Sequence, residues 1–210
     1  MIDDPIFCGL AVLFTILTLF CLRSLLKITP SLMDCVRRWK GNIDLEDSLQ
    51  LSRSRNLIAL VLFVPLCMVA YSHSLYTPEF LESLPQTLQF GIVTGILSAY
   101  VLLRLFLNWQ LEFNSYGSKV FSAANRSFYN YLIILFFLLF IPGTALNAAD
   151  CPEETSRTVL LWITAVSYGF FVIRRGQIFA SACNPFTTIL YLCGLEILPT
   201  AALVFSAYLL

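Results

Sequence analysis

Charge is what this sequence has least of. Only 12% of its 210 residues are Asp, Glu, Lys or Arg, against roughly 25% in soluble domains. That shortfall excludes an ordinary water-soluble domain. Histidine is nearly missing too. His73 stands alone, which excludes a multi-histidine metal site and haem held by paired histidines. A Ser/His/Asp hydrolase would have to use His73 as its base, and no motif sets a serine beside it. The residue falls just past an apolar run, where a solvated or interfacial imidazole is expected. There is no CxxC pair. The seven cysteines, at positions 8, 21, 35, 67, 151, 183 and 193, are scattered mostly through apolar segments, where a thiol packs as a small hydrophobe. No metal-ligand spacing results, and no cofactor is called for. A P-loop, GxSxG, HExxH and a Gly-rich phosphate cradle are all lacking. Net charge is zero, so no overall field draws nucleic acid. The opening MIDDPIF has two aspartates where a signal peptide has a basic region, so no cleaved leader is expected.

What remains is apolar sequence in long runs. Six are long enough to span a bilayer, at about 6–26, 57–76, 86–107, 128–147, 158–173 and 187–210. The expected fold is all-α: one polytopic membrane domain over 1–210, a bundle of six transmembrane helices in hairpins. Charge orients it. Every lysine and arginine except Arg157 lies in or beside the loops after spans one, three and five. By the positive-inside rule those loops face the cytoplasm and both termini face out. Cys8 and Cys151 then share the outer side, which leaves a disulfide between them open.

The loop after span one is the largest soluble piece. Pro30-Ser31 reads as a helix start and Gly41-Asn42 as a stop. Between them, Leu32, Met33, Val36 and Trp39 recur at helical spacing among Arg37, Arg38 and Lys40. A basic amphipathic segment over about 31–41 is expected to lie on an anionic leaflet; the plainer alternative is a loop helix packed on the bundle. Gly91 and Gly95 form a GxxxG spacing, a signal for close helix contact. Arg104 sits inside the basic end of its span and can snorkel outward. Span five, closed by Arg174-Arg175, reads as short. Asn184 is placed to cap span six.

Span six holds the most informative residue. From Thr187 to Leu210 the sole charged side chain is Glu196. It lies about 14 Å into the helix at 1.5 Å per residue, near the middle of the hydrocarbon. A charge there costs a few kcal/mol and calls for a partner. Pro199 leaves the Leu195 carbonyl without its donor, a free acceptor beside the carboxyl group. Gly194 permits close helix approach. Tyr168, Ser167 and Ser98 fall at the same depth and are the candidate hydrogen-bond partners. Arg104 and Arg174 lie nearer the surface and would have to bend inward to reach it.

The stretch YLCGLEILP, Tyr191 to Pro199, resembles the C-terminal segment of a Bacteroidota inner-membrane family, domain of unknown function 4271. The resemblance implies a six-span fold in a bacterial inner membrane and supplies no mechanism.

Three functional classes follow. One is a non-enzymatic membrane subunit, an assembly factor or scaffold of an envelope complex, with lipids and other membrane proteins as partners. The second is a proton- or ion-coupled transporter component built on Glu196, Pro199 and Gly194. The third is a lipid-active enzyme holding a phosphate with Arg104, Arg174, Arg175, Asn184 and Asn130 at the cytoplasmic rim. The same rim residues are also what any positive-inside loop would contain.

Overall fold

The computed structural model describes residues 5–38, 40–76, 78, 81, 84–114, 119–181 and 184–209. Helix α1 covers Pro5–Arg37, α2 Gly41–Asp47, α3 Leu49–Ser72, α4 Gln86–Asn114, α5 Lys119–Ala148 and α6 Glu153–Ala180. The last span is composite. It comprises α7 (Pro185–Leu192), a π-helical turn (Cys193–Ile197) and α8 (Leu198–Leu209). The chain is all-α among its described residues. Six of its helices are long and apolar enough to cross a membrane, over Val12–Arg37, Gln50–Ser72, Gln86–Gln110, Phe121–Ala148, Glu153–Ala180 and Pro185–Ala207.

The helices run further than hydropathy indicates, mostly at the Lys/Arg-rich end. Helix α6 is the clearest case. Its 28 residues reach about 42 Å at 1.5 Å per residue, so the expectation of a short fifth span over 158–173 is overturned. Arg174-Arg175 ended that reading because charge marks a membrane boundary. The helix continues past them because both side chains find partners inside the protein.

The amphipathic segment at 31–41 is also corrected. Residues 31–37 are the last two turns of α1, which passes through Pro30 without a break. Leu32 and Cys35 are buried there, while Met33, Arg37 and Arg38 are exposed. Gly41 begins α2 instead of stopping a helix. A Cβ on Gly41 would lie 2.8 Å from the backbone of Asp34, so only glycine lets the chain fold back this tightly against α1. Lys40 is exposed; Trp39 lies outside the described residues, as does the side chain of Cys8. Cys151 is a free thiol.

Packing pairs α3 with α4, α4 with the π turn and α8, α7 with α6, α6 with α5, and α5 with α3. These contacts close a circuit of five spans. Helix α5 supplies much of the apolar interior, through Phe128, Leu132, Leu135, Phe136 and Leu139, one face at three- and four-residue spacing. Helix α1 stands outside the circuit against α3. Only 6% of its apolar window is buried, against 39% for α3.

The glycines of span three do not behave as GxxxG predicts. Cβ atoms on Gly91 and Gly95 would meet nothing within 4 Å, so among the described residues no helix approaches there. His73 is buried as well, beside Gly143 in α5, and is not the solvated residue its position suggests.

Candidate functional site: a buried carboxylate between two arginines

The local fold at Glu196 follows from Pro199. Proline has no amide hydrogen, so the regular ladder loses a donor three residues after the carboxyl group. The helix widens just before it: the Leu198 amide donates to the Cys193 carbonyl, five residues back. This π turn carries Glu196 into the bundle, where its side chain is fully buried.

Two arginines meet it there. Arg104 of α4 donates through Nη2 to Glu196 Oε2. Arg175 of α6 lies with Nη1 against Oε1. That second contact is an ion contact and not an aligned hydrogen bond, since neither atom has a hydrogen-bond partner. All three side chains have 0% exposure. Aromatic faces replace water around the cations. The Arg104 guanidinium sits 4.0 Å from the Phe128 ring centroid and 5.0 Å from that of Phe171. That of Arg175 is 5.5 Å from Phe179. Guanidinium is weakly hydrated and stacks on rings, which makes arginine the cation best suited to this burial. Two positive charges and one negative leave a formal surplus of one positive charge in the core.

A wider network holds the triad. Arg104 Nη1 donates to Tyr100 Oη at 3.2 Å, and Tyr100 Oη meets Thr200 Oγ1 at 2.9 Å. Tyr100 and Thr200 are each four residues, about one helical turn, from Arg104 and Glu196. The two helices are therefore zipped antiparallel by consecutive polar pairs. On the other side Arg175 Nη2 donates to Asn108 Oδ1 at 2.8 Å and Asn125 Oδ1 at 3.2 Å.

The partners expected from depth are mostly corrected. Tyr168 does reach Glu196, but donates to its main-chain carbonyl, at 2.9 Å, and not to its carboxyl group. The acceptor engaged across helices is thus the Glu196 carbonyl, not that of Leu195. Ser167 Oγ turns back to the Thr164 carbonyl at 2.9 Å. Ser98 is half-buried and takes no part. Gly194 is exposed, and a Cβ there would meet nothing within 4 Å, so it admits no neighbouring helix.

The rim assignment is corrected as well. Arg104 and Arg175 are core residues. Arg174 is a brace: Nη2 donates to the carbonyls of Val36 (2.7 Å) and Arg37 (3.1 Å) at the end of α1. Those carbonyls have no intrahelical donor. Asn130 is buried and donates to Asn42 Oδ1 at 2.8 Å and Cys35 Sγ at 3.6 Å, tying α5 to α2 and α1. Asn184 occupies the N-cap position of α7, but its side chain makes no cap bond; its carbonyl accepts from the Thr188 amide at 3.0 Å.

With the Glu196 segment so defined, the comparison with known families is direct. The family described as Domain of unknown function (DUF4271) matches residues 6–205. The chain belongs to this family. No curated protein and no solved structure matches it. The DUF4271 match contains the whole triad, together with Asn108 and Asn125, which sequence reading missed. A signal for them existed. A lone acid in mid-span demands a counter-charge, and Arg104 and Arg174 are the arginines that could bend inward to it; the structure uses Arg104 and, in place of Arg174, its neighbour Arg175. The asparagines carry no such signal, because their role exists only once Arg175 is known to point inward.

Proposed function

We propose that this chain is a non-enzymatic integral subunit, an assembly factor or scaffold of an envelope complex in a bacterial inner membrane, with both termini on the outer side. The observation that supports it is the engagement of both Glu196 oxygens by arginines from two different helices. A carboxylate held in this way braces three spans, and the two cations against it oppose its protonation and the approach of a passing cation. A scaffold needs that kind of rigidity.

A second reading is favoured by one feature. π turns concentrate at functional sites, and here the turn sits on the buried acid, with the run of groups from Thr200 through Tyr100 to Arg104 leading away from it. On that reading the chain is a proton- or ion-coupled transporter component.

The test purifies tagged wild type and a charge-free triad, Arg104→Met/Arg175→Met/Glu196→Leu, from native membranes in mild detergent. Scaffolding predicts one stoichiometric protein partner, retained by both forms. An isolated chain that drives proton or ion flux in proteoliposomes, abolished in the charge-free form, would replace it with transport. A reporter fused after Leu210 that reads cytoplasmic would reverse the orientation.

A further inference from the structure

The triad has a polar neighbour. Between the first turns of α3, the C-terminal part of α4 and the N-terminal part of α5 lies a cavity of about 370 Å³. Its polar wall is Ser52, Arg53, Asn56, Asn108, Asn125 and Arg126, with no carboxylate among the lining residues. The three asparagines share one arrangement. Each has its side-chain oxygen held from behind by a buried arginine. Asn56 Oδ1 accepts from Arg55 Nε and Nη2, at 3.1 and 2.9 Å. The other two accept from Arg175. Arginine has donors and no acceptor, so it fixes which end of each amide it meets. The opposite end of each amide is its nitrogen, which is a donor.

One of these is unsatisfied. Asn108 is 3% exposed, and its Nδ2 has no partner among the described residues. A buried N–H left unpaired is costly and is normally satisfied by a ligand or water. Arg53 and Arg126 are exposed on the same wall. The surplus positive charge of the triad lies behind this wall.

We propose that this cavity binds a phosphate group, either a soluble phosphate or the headgroup of an anionic phospholipid. A phosphate brings acceptor oxygens and negative charge to a wall of donors and cations. It would take up the Asn108 amide and sit between Arg53 and Arg126. Arg104 and Arg175 do not touch the ligand; Arg175 orients two of the asparagines that do. A choline headgroup would find no carboxylate here. The proposal stands whether the chain is a scaffold or a transporter.

The test uses the full chain in detergent with three probes: inorganic phosphate, dioleoyl phosphatidic acid and dioleoyl phosphatidylcholine. Lipid retention is read by native mass spectrometry and phosphate binding by calorimetry. Phosphatidic acid retained over phosphatidylcholine, and weakened about tenfold or more in Arg53→Gln/Arg126→Gln but not in Arg157→Gln at the opposite end, establishes a headgroup site. Phosphate bound alone, with the same loss in the double variant, establishes a site for a soluble phosphate. Equal retention of both lipids with no phosphate binding overturns the proposal. So does a double variant that binds as the wild type does. Arg53→Gln alone, at an exposed position, serves if the double variant melts early.

Discussion

Replacing Glu196 with glutamine removes one charge and almost no volume, which makes it the sharpest probe of the triad. In the wild type, two guanidinium groups share one carboxylate at 0% exposure. In Glu196→Gln both cations stay buried without a counter-charge. Removing one partner of a buried pair costs about 3–5 kcal/mol. For a chain of this size each kcal/mol moves the melting temperature by about 2–4 °C. The expected fall is therefore roughly 6–20 °C, read by tryptophan fluorescence during heating in detergent. The order of variants is as informative as the size. Arg175→Gln leaves Arg104 and Glu196 balanced, and the new amide can still donate to Asn108 and Asn125, so it should lose less. The charge-free triad should recover most of the loss, because apolar residues of similar volume replace buried ion pairs at little or no cost. A Glu196→Gln protein melting within about 2 °C of the wild type would refute the argument. So would Arg175→Gln proving the more damaging of the two.

Other outcomes follow from the packing. Gly41→Ala should cost about 1–3 kcal/mol by overpacking against the Asp34 backbone, whereas Gly194→Ala should be neutral or stabilising; thermal melts of the pair decide it. His73 has its pKa lowered from 6.5 by burial, with Glu153 opposing. Below pH 6.5 the unfolded chain takes up a proton that the folded chain refuses, so stability falls with pH from there down to the lowered value; melts across that window should flatten in His73→Gln. Arg174→Gln should cost about 1.5–3 kcal/mol for lost charge-assisted bonds to the α1 carbonyls. Amide exchange should quicken in the last turn of α1.

Hydropathy made the six spans legible, and burial cost made Glu196 legible, because both depend on composition along one helix. What failed depends on neighbours. Arg104 and Arg175 read as rim residues since arginine is common at membrane boundaries; the rings of Phe128 on α5 and of Phe171 and Phe179 on α6 are what make their burial tolerable. The Gly91/Gly95 spacing and the lone Gly194 both rest for their meaning on an approaching helix, and none approaches among the described residues. Proline gave mixed service. Pro199 correctly marked a disturbed ladder, yet the response was a π turn rather than a bare Leu195 carbonyl. Pro30 marked a helix start where α1 runs straight on.

The triad also sets an order of events during synthesis. Arg104 and Arg175 lie in spans that leave the ribosome before the segment bearing Glu196. Until the final span enters, the carboxylate that faces both guanidinium groups in the finished fold is absent, and Arg104 and Arg175 would be expected to stay nearer the surface or be held by the insertion machinery. Arrival of the last helix ends that state at a stroke. The C-terminal segment thus acts as a keystone in time as well as in space, and a chain truncated before residue 185 should be cleared by membrane proteases although five of its six spans are intact.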